Sequence, residues 1–214
     1  MIYSVQKDTG LQVIQKILTR GFFQSELAAL RRLKGDNRFI QLVECYRDNK
    51  GNPVIVYEYV PFQWRSSSQG HLKVYMKNLL EVTRTFPFKL KQKAVEEMHR
   101  KGIVHVDLKE SNTLFDPVSG KVVILDFGSC IIRGLVNYNI RTTKGYSAPE
   151  LSHRNAGTCA IDMWSVGAIF AYQVSHLLDS SHKSCLDLRD VTKRSLNLLR
   201  WITLHCHSGA PNSL

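Results

Sequence analysis

HVDLKESN, residues 105–112, sets a histidine, an aspartate, a lysine and an asparagine directly before the apolar run TLF at 113–115. A short polar loop bounded by apolar strands is held rigid by them, and reactions that depend on the placement of groups need such rigidity. Asp107, Lys109 and Asn112 bring a carboxylate, an ammonium and an amide into this loop. The stretch therefore predicts a loop that carries chemistry, followed by a strand.

Two further motifs lie downstream of this loop. DFG, at 126–128, comes directly after the apolar run VVIL, and APE occupies 148–150. In this order, HVDLKESN, DFG and APE resemble the HRDLxxxN, DFG and APE signature of eukaryotic protein kinases. One short motif has a high false-positive risk, but three in serial order, each in the expected context, support one another. The sequence thus resembles a eukaryotic protein kinase.

The resemblance implies an α+β, bilobal protein kinase-like fold, with a small β-rich N-lobe that contains one helix and a larger, mostly helical C-lobe. We expect a partial kinase domain at 1–177, divided into an N-lobe at 1–60 and a C-lobe at 61–177. Residues 178–214 are expected to form a divergent C-terminal tail. The N-lobe is expected to lack the Gly-rich loop GxGxxG, whose backbone N–H groups approach the ATP phosphates.

The hydrophobic pattern of residues 1–60 predicts four strands and one helix. Leu27, Leu30 and Leu33 recur at three-residue spacing and indicate a helix from Phe22 to Leu33, which Gly35 ends. Apolar runs bounded by turn residues predict strands at 2–5, 11–18, 39–46 and 53–60. The remainder predicts helices at 71–82, 93–102, 160–175 and 191–204, strands at 113–115 and 121–125, and a helix break at Pro87.

By the resemblance, the polar loop transfers phosphate from ATP. Asp107 would accept or orient the proton of the substrate hydroxyl, and Lys109 would neutralise the γ-phosphate. Asn112, through its amide oxygen, and Asp126, through its carboxylate, would ligate Mg²⁺, a hard cation that prefers oxygen. ATP and Mg²⁺ are the cofactors that the resemblance implies.

The same resemblance calls for a lysine on an N-lobe strand and a glutamate on the helix that follows. Lys16 matches the lysine, with Ile14 on the same face of the strand. Gln15 is the alternative register, but its side chain would point to the opposite face. Glu26 matches the helix glutamate that pairs with the lysine and presents it to the α- and β-phosphates.

The hinge and two further residues are also assigned by resemblance. IVYEYV resembles the hinge between the lobes, with Tyr57 as the bulky residue behind the adenine. The backbone from Glu58 to Val60 would offer hydrogen bonds to the adenine edge. Asp162, in DMWSVG, resembles the helix residue that accepts backbone N–H groups from the catalytic loop. Thr143 lies where Ser/Thr kinases place a threonine near the catalytic aspartate, which favours Ser/Thr over Tyr specificity.

Simple structural explanations compete with each assignment. Lys16 alone is compatible with a solvated lysine at a strand end, Glu26 with a first-turn carboxylate favoured by the helix dipole, and Asp162 with a helix cap. The neighbouring His and Cys side chains of 205–207 would point in different directions, so a metal site is not predicted there. The basic stretch at 89–101 contains glutamates and indicates a solvated helix face rather than a nucleic-acid interface.

Two substitutions depart from the kinase pattern. Val106 occupies the arginine position of HRD, and because an aliphatic side chain cannot bind phosphate, we expect no dependence on a phosphorylated activation loop. Glu150 pairs in the family with a distal arginine that has no obvious counterpart here, and a buried carboxylate without a partner is costly. With the missing Gly-rich loop, these departures leave a catalytically impaired pseudokinase or truncated isoform, acting as a regulatory binding module, as the alternative.

Composition limits the cellular compartment and the kinds of partner that the protein can have. The formal net charge of +11 favours acidic partners, and the five scattered cysteines, without CxxC spacing, indicate a reduced protein. No signal-peptide pattern or membrane-length apolar run is evident, so we expect an intracellular protein, nuclear or cytoplasmic, without a membrane partner. TTKGYSAPEL and AIDMWSVGAIF are similar to the division-cycle kinases that trigger replication origins. That similarity implies protein substrates, an activating regulatory subunit and no direct contact with nucleic acid.

Overall fold

The computed structural model describes residues 2–5, 10, 12–61, 94–116, 118–135, 140–153 and 158–179. The α-helices in these ranges are α1 (Arg20–Arg32), α2 (Ala94–Arg100) and α3 (Ala160–Asp179). The strands are β1 (Ile2–Val5), β2 (Gln12–Ile17), β3 (Leu42–Arg47), β4 (Pro53–Glu58), β5 (Ile103–Val104), β6 (Thr113–Phe115), β7 (Val122–Ile124) and β8 (Ile131–Ile132). Two short 3-10 turns lie at Glu110–Asn112 and Pro149–His153.

The first part of the chain forms a four-stranded antiparallel sheet with strand order β1-β2-β4-β3. The four strands and one helix that the hydrophobic pattern predicted are all present. In the β2–β4 pairing, Ile14 lies opposite Tyr57 and Lys16 opposite Ile55. Side chains two residues apart on a strand share a face. Ile14 packs partly buried against the core, so Lys16 lies on the core-facing side of β2.

Helix α1 packs its apolar stripe beneath this sheet. Leu30 and Leu33 are buried and Leu27 is partly buried against them, as the three-residue spacing predicted. The helix begins at Arg20, two residues earlier than predicted, because Thr19 is the last extended residue before it. This earlier start places Glu26 in the second turn and removes the explanation of Glu26 as a first-turn carboxylate.

The second part of the chain combines two-stranded pairs with helices. Strand β6 pairs antiparallel with β7, and β5 pairs antiparallel with β8. The pattern predicted β6 and β7 but not β5 and β8, because two-residue strands are too short to show an alternation of apolar and polar residues. The helices predicted at 71–82 and 191–204 and the break at Pro87 lie outside the described residues. Within the described residues no helix is both long and apolar enough to span a bilayer.

One hydrophobic core joins the two parts. Phe39, after α1, forms a parallel bridge with Ile124 of β7. Ile124 also accepts a hydrogen bond from the Ile40 N–H at 3.0 Å and donates its own N–H to the Arg38 carbonyl at 2.9 Å. These bonds attach the first sheet and helix to the strand that leads into the DFG motif. The segment after α1 is therefore joined directly to the strand that precedes the DFG motif.

Candidate active site

A buried ion-pair cluster joins β2, α1 and the DFG motif. The Lys16 Nζ donates to Glu26 Oε1 at 3.1 Å and Oε2 at 3.0 Å, and to Asp126 Oδ1 at 2.6 Å. Glu26 is fully buried, whereas the side chain of Asp126 remains 43% exposed. The structure thus brings together three residues that the sequence assigned to nucleotide binding, and it selects Lys16 over Gln15 as the lysine register. Gly128 fits closely beside them, since an added Cβ would lie 3.4 Å from both carboxylates.

The charges in this cluster shift one another's protonation. Burial alone would lower the pKa of Lys16, but the charges of Glu26 and Asp126 and their hydrogen bonds outweigh it and raise that pKa. Burial raises the pKa of Glu26 against the opposing charge of Lys16, and the Asp126 charge adds to the rise. Burial would raise the pKa of Asp126, but the Lys16 charge and hydrogen bond lower it overall. Asp126 is therefore a carboxylate at neutral pH, the form that a metal ion requires.

Tyr57 takes part in this cluster in a way that the sequence did not predict. Its hydroxyl donates to Glu26 Oε1 at 2.5 Å, and the residue is buried. Burial and the neighbouring Glu26 charge raise the pKa of Tyr57 far above its usual range, so the hydroxyl stays protonated and remains a donor. Tyr57 was predicted only as the bulky residue behind an adenine. Its hydroxyl is thus a second donor, besides Lys16, to the fully buried Glu26 carboxylate.

The catalytic loop carries a second cluster. Thr143 donates its hydroxyl to Asp107 Oδ1 at 2.6 Å and accepts from Lys109 Nζ at 2.7 Å. Lys109 Nζ also lies 2.9 Å from Asp107 Oδ2. Asn112 donates its amide nitrogen to the Asp107 carbonyl at 2.8 Å. The aspartate, lysine, asparagine and threonine named from the sequence therefore meet, with Asp107 at the centre.

Asp162, at the start of α3, fixes the backbone of this loop. Its carboxylate accepts the His105 N–H and the Val106 N–H, both at 2.8 Å, and also contacts His99 Nε2 at 2.8 Å. Val106 has φ +74°, a left-handed conformation that is a genuine outlier for a β-branched residue. Such strain persists only where surrounding contacts over-determine the backbone, and the two bonds to fully buried Asp162 supply them. The geometry agrees with the backbone-binding position predicted for Asp162.

The DFG motif and the catalytic loop are tied by their backbones. The Leu125 N–H donates to the Asn112 carbonyl at 2.9 Å, and the Leu125 carbonyl lies 2.8 Å from His105 Nε2. Phe127 is fully buried and packs edge-on against Phe39, with ring centroids 6.1 Å apart. Asp126, at φ +61°, is thereby turned toward Lys16 while its neighbours stay anchored. These contacts place Asp126 beside the chain segment that carries Asn112.

Asn112 and Asp126 suit a hard cation. The Asn112 amide nitrogen is committed to Asp107, which leaves the amide oxygen as the end that would ligate a metal. A carboxylate oxygen and an amide oxygen are the ligand types that Mg²⁺ takes when phosphate oxygens and water complete its shell. Among the described residues no group of three or more His, Cys, Asp or Glu side chains could hold a metal ion alone. The pair therefore offers one carboxylate oxygen and one amide oxygen to such a cation, and other ligands would have to complete its shell.

The hinge backbone is partly used within the protein. The Glu58 N–H donates to the Gln41 carbonyl at 3.1 Å, and the Tyr59 N–H donates to the Gln12 carbonyl at 3.2 Å. Val60 packs against the core as a partly buried residue. The N–H groups of Glu58 and Tyr59 are thus engaged within the protein, and adenine binding by the Glu58–Val60 backbone stays a prediction.

Val106 and Glu150 differ in their surroundings. Val106 is buried in a small apolar cluster with Val104, Ala148 and Ile161. The arginine position of HRD is thus filled by packing and holds no charge that could bind phosphate. Glu150 is only partly buried, and within the described residues it forms no ion pair.

Glu110 is a carboxylate that the sequence did not single out. It begins the 3-10 turn Glu110–Asn112, and its Oε1 is buried without a hydrogen-bond partner among the described residues. Burial raises the pKa of Glu110 to about 7. It lies close enough to Tyr146 that its charge, after the effect of burial, raises the pKa of that phenol. The sequence could not predict that this carboxylate lacks a partner, because Lys109 beside it suggests an ion pair. That ion pair does not form in the structure.

Comparison with known proteins assigns the class of this fold and site. The family model of the protein kinase domain matches residues 5–207. The chain therefore belongs to the protein kinase domain family, which confirms the resemblance found in the motifs. The match extends past residue 177, where the sequence predicts the end of the kinase domain. Because residues after 179 are not described, the division of the chain into domain and tail stays a prediction.

Curated relatives, one of them named as a serine/threonine-protein kinase, match at modest identity. The serine/threonine-protein kinase H1 homolog of Pinctada fucata is 33% identical over 169 residues, which cover 75% of this chain and 38% of that protein. Protein kinase gsk3 of Schizosaccharomyces pombe is 26% identical, covering 79% of this chain and 46% of its own length. A probable cell division control protein 7 homolog of Encephalitozoon cuniculi is 27% identical, with 78% and 58% covered. The chain thus spans well under two thirds of each relative, and these matches do not select one branch of the family.

A solved structure shows the same fold. The kinase PK-1 of Cydia pomonella granulovirus superposes with a TM-score of 0.60 at 21% sequence identity, covering 79% of this chain and 61% of that chain. The predicted α+β, bilobal protein kinase-like fold is thereby confirmed. Similarity at this identity concerns the fold alone, so the activity has to be argued from the site.

Proposed function

We propose that this chain transfers the γ-phosphate of ATP to serine or threonine hydroxyls of protein substrates. The observation that carries the proposal is Lys16, which binds Glu26 of α1 and Asp126 of the DFG motif at once. That contact joins β2, α1 and the DFG motif through one side chain. A site that is assembled in advance does not have to be reorganised when the nucleotide binds.

The nucleotide would bind along this cluster. Lys16 supplies the positive charge for the α- and β-phosphates, and Glu26 holds the ammonium in place. Mg²⁺, when bound by Asp126 and Asn112, would supply the charge that neutralises the phosphate oxygens. Because Asp126 contacts Lys16 at 2.6 Å, the lysine and the metal ligand are already adjacent.

The catalytic loop would prepare the attacking hydroxyl. Asp107 would accept its proton, and Lys109, 2.9 Å from Asp107, would supply a cation where charge accumulates during transfer. Thr143 holds both side chains in one arrangement through hydrogen bonds of 2.6 and 2.7 Å. A threonine in this place supports Ser/Thr specificity.

Described residues of the segment after DFG contact α1 and one another. Arg141 lies over the Phe22 ring, 4.7 Å from its centroid. The Arg141 N–H donates to Ser129 Oγ at 3.2 Å, and Arg32 of α1 donates to the Arg133 carbonyl at 2.9 Å. Together with the apolar surroundings of Val106, these contacts support activity that does not depend on phosphorylation of this segment.

The test is phosphoryl transfer by matched variants. Radiolabelled phosphate from ATP is followed into a generic basic protein for the wild-type chain and for Asp107→Asn, with Mg²⁺ present and then chelated. Transfer that falls at least 100-fold in the variant and requires Mg²⁺ supports the proposal. Equal transfer by the two proteins excludes it.

A catalytically impaired binding module is the alternative function, and thermal unfolding with Mg-ATP separates it from a nucleotide-binding enzyme. A ligand that binds only the folded state raises stability, by an amount that grows with the logarithm of its concentration relative to its Kd. Stabilisation by millimolar Mg-ATP that Lys16→Met abolishes supports nucleotide binding. No stabilisation favours the binding module. The proposal also includes an activating subunit, a nuclear or cytoplasmic location and the protein substrates of the whole protein.

A further inference from the structure

An open hollow lies where the loop after α1 meets the end of α2. Its volume is about 580 Å³, and its lining consists of residues 34–38 and Lys101. Lys34, Arg38 and Lys101 contribute cations and Asp36 contributes a carboxylate, so the lining is polar. A concave site of this size without apolar walls suits a charged ligand better than a hydrophobic one. The described residues that line it include no member of the nucleotide cluster or the catalytic loop, so the hollow is separate from the proposed active site.

Three further cations border this hollow. Arg32 of α1 donates one terminal nitrogen to the Lys101 carbonyl at 3.4 Å and the other to the Arg133 carbonyl at 2.9 Å. Arg133 lies against Gly102, where an added Cβ would be 3.1 Å from the Arg133 Cβ. Arg100 is the last residue of α2 and precedes Lys101. Together with the three cations of the lining, these residues form what we call the basic hollow.

Three carboxylates lie among these six cations, and two of them are neutralised inside the protein. Arg38 donates to Asp36 Oδ1 at 2.8 Å and to Asp36 Oδ2 at 2.6 Å. Arg100 donates to both carboxylate oxygens of Glu97 in the same way, at 2.8 and 2.6 Å. Glu96, the third, is exposed on α2. The guanidinium groups of Arg38 and Arg100 are therefore committed to internal carboxylates.

Three cations of the basic hollow have no carboxylate partner among the described residues. Lys34 and Arg133 are exposed, and neither takes part in an ion pair there. The hydrogen bonds that fix Arg32 go to carbonyl oxygens and leave its charge uncompensated. The dipole of α1 favours a cation at Arg32, in the last turn, but Lys34 and Arg133 lie outside that helix. The basic hollow thus has an excess of positive charge that attracts anions.

We propose that the basic hollow binds an acidic segment of a partner protein, in which carboxylates or phosphoserines alternate with uncharged residues. Such a segment can place its charges opposite Arg32, Lys34 and Arg133 and its neutral residues opposite the internal carboxylates. A nucleic-acid strand carries a phosphate on every nucleotide and would bring some of them against those carboxylates. The charge pattern therefore favours a polypeptide. The proposal does not depend on the kinase activity, because the hollow lies outside the proposed active site.

Arg32 is well suited to an acidic partner. Its two hydrogen bonds to carbonyls hold the guanidinium in one orientation, so less side-chain freedom is lost when an anion binds. One exposed ion pair changes affinity by up to about 5-fold. Reversal of two charges replaces attraction by repulsion and should therefore weaken binding by at least about 10-fold. Because the contacts are exposed, added salt should weaken binding further.

The experiment measures the binding of labelled peptides of about 12 residues, roughly 40 Å when extended, by fluorescence anisotropy at low and at physiological salt. The first peptide alternates glutamate with glycine and serine. Three others have phosphoserine, glutamine or lysine in place of each glutamate, and a single-stranded oligonucleotide of equal charge is the fifth probe.

Three proteins are compared with these probes. They are the wild type, the double variant Lys34→Glu, Arg133→Glu, and the control double variant Arg47→Glu, Lys50→Glu. The control makes the same change of net charge at exposed residues of β3 and the turn after it, which do not line the hollow.

The wild type and the control should bind the glutamate or the phosphoserine peptide at least about 10-fold more tightly than Lys34→Glu, Arg133→Glu does. The tighter of these two peptides identifies the chemistry of the partner. The glutamine peptide should bind none of the proteins, and the lysine peptide should bind Lys34→Glu, Arg133→Glu better than it binds the wild type.

Three results would overturn the proposal. Equal affinity of the two double variants for the acidic peptides would mean that the net charge of the chain attracts them, not the hollow. An oligonucleotide that binds the wild type more tightly than either acidic peptide, and loses that affinity in Lys34→Glu, Arg133→Glu, would assign the hollow to nucleic acid. Absence of binding by both acidic peptides would leave the basic hollow as a solvated surface.

Thermal unfolding checks that the variants are folded. Both double variants should unfold within a few degrees of the wild type, because the four replaced side chains are exposed. If Lys34→Glu, Arg133→Glu does not fold, the neutral variant Lys34→Gln, Arg133→Gln takes its place, and binding weaker than that of the wild type by about 3-fold or more is then expected at low salt. An unchanged affinity in the neutral variant would overturn the proposal.

Discussion

Thr143 and Asp107 lie 36 residues apart in sequence and are joined by a hydrogen bond of 2.6 Å from the threonine hydroxyl to Asp107 Oδ1. The bond crosses from the segment after DFG to the catalytic loop. Thr143 also accepts a hydrogen bond from Lys109. One hydroxyl therefore orients both the Asp107 carboxylate and the Lys109 ammonium. The proposed chemistry therefore depends on a residue outside the loop that carries it.

Replacement of Thr143 by alanine should lower kcat by about 10-fold to 100-fold, because a small misplacement of a catalytic group costs about that much. KM for ATP should change little, since the hydrogen bonds of Thr143 go to Asp107 and Lys109 rather than to the nucleotide cluster of Lys16. Steady-state kinetics measure both constants. Thr143→Ser keeps the hydroxyl and should retain most of the rate; alanine and serine variants of equal activity would show that the hydrogen bond does not matter.

Replacement of Lys16 by methionine should lower the free energy of unfolding by about 3 kcal/mol, because it leaves Glu26 buried without its cation. Neutralising that carboxylate in the double variant Lys16→Met, Glu26→Gln should recover part of the loss. Denaturant unfolding measures both. If the double variant is no more stable than the single one, the ion pair does not control the stability of this cluster.

Tyr57→Phe should lower the free energy of unfolding by about 1 kcal/mol, since it removes one of the donors to buried Glu26 and keeps the ring. Tyr46→Phe is the matched control, because Tyr46 is 41% exposed on β3. Denaturant unfolding of the two variants gives the difference. Equal stabilities of the two variants would argue against a hydrogen bond that holds Glu26 in place.

The sequence predicts much of the site because kinase motifs appear in serial order, and their order determines which residues converge. Lys16 was chosen over Gln15 by the alternation of side chains on a strand, and the ion pair with Glu26 agrees with that choice. Asp107, Lys109 and Asn112 lie within one short loop, so their proximity follows from local sequence. These are the contacts that spacing and resemblance can anticipate.

What the sequence misses depends on tertiary contacts. The Tyr57 hydroxyl reaches Glu26 across 31 residues because β4 and α1 pack together, and no local pattern encodes that meeting. The unpaired state of Glu110 depends on Lys109 turning to Asp107 instead. Strands β5 and β8 pair only because the core brings two short apolar segments together. Each of these features is a property of packing.

Replacement of Val106 by arginine should lower the free energy of unfolding by at least about 3 kcal/mol, because it buries a charge among Val104, Ala148 and Ile161. The same change at Val118, which is 94% exposed, should have almost no effect and serves as control. Thermal or denaturant unfolding compares the two variants. A Val106→Arg protein as stable as Val118→Arg would show that a cation is accommodated at this position.

The contact between His99 and Asp162 should make stability depend on pH. Burial would lower the pKa of His99, but its hydrogen bonds to Asp162 and Cys159 and the Asp162 charge outweigh it and raise that pKa to about 9. The unfolded chain has the ordinary value of 6.5. A group with a raised pKa in the folded state binds its proton more tightly there, so its stabilisation is complete below pH 6.5 and is lost as the pH rises through about 9.

The loss between these limits should be about 3 kcal/mol for a pair that is almost wholly buried. The free energy of unfolding of the wild type is measured from pH 6 to pH 10 and compared with that of His99→Gln, which cannot titrate but keeps a donor toward Asp162. Groups common to both proteins cancel in the difference, so the difference should decline between pH 6.5 and pH 9.5. A difference that stays constant over this range would mean that His99 is neutral in the folded chain and that the backbone N–H groups of His105 and Val106 alone hold the Asp162 carboxylate.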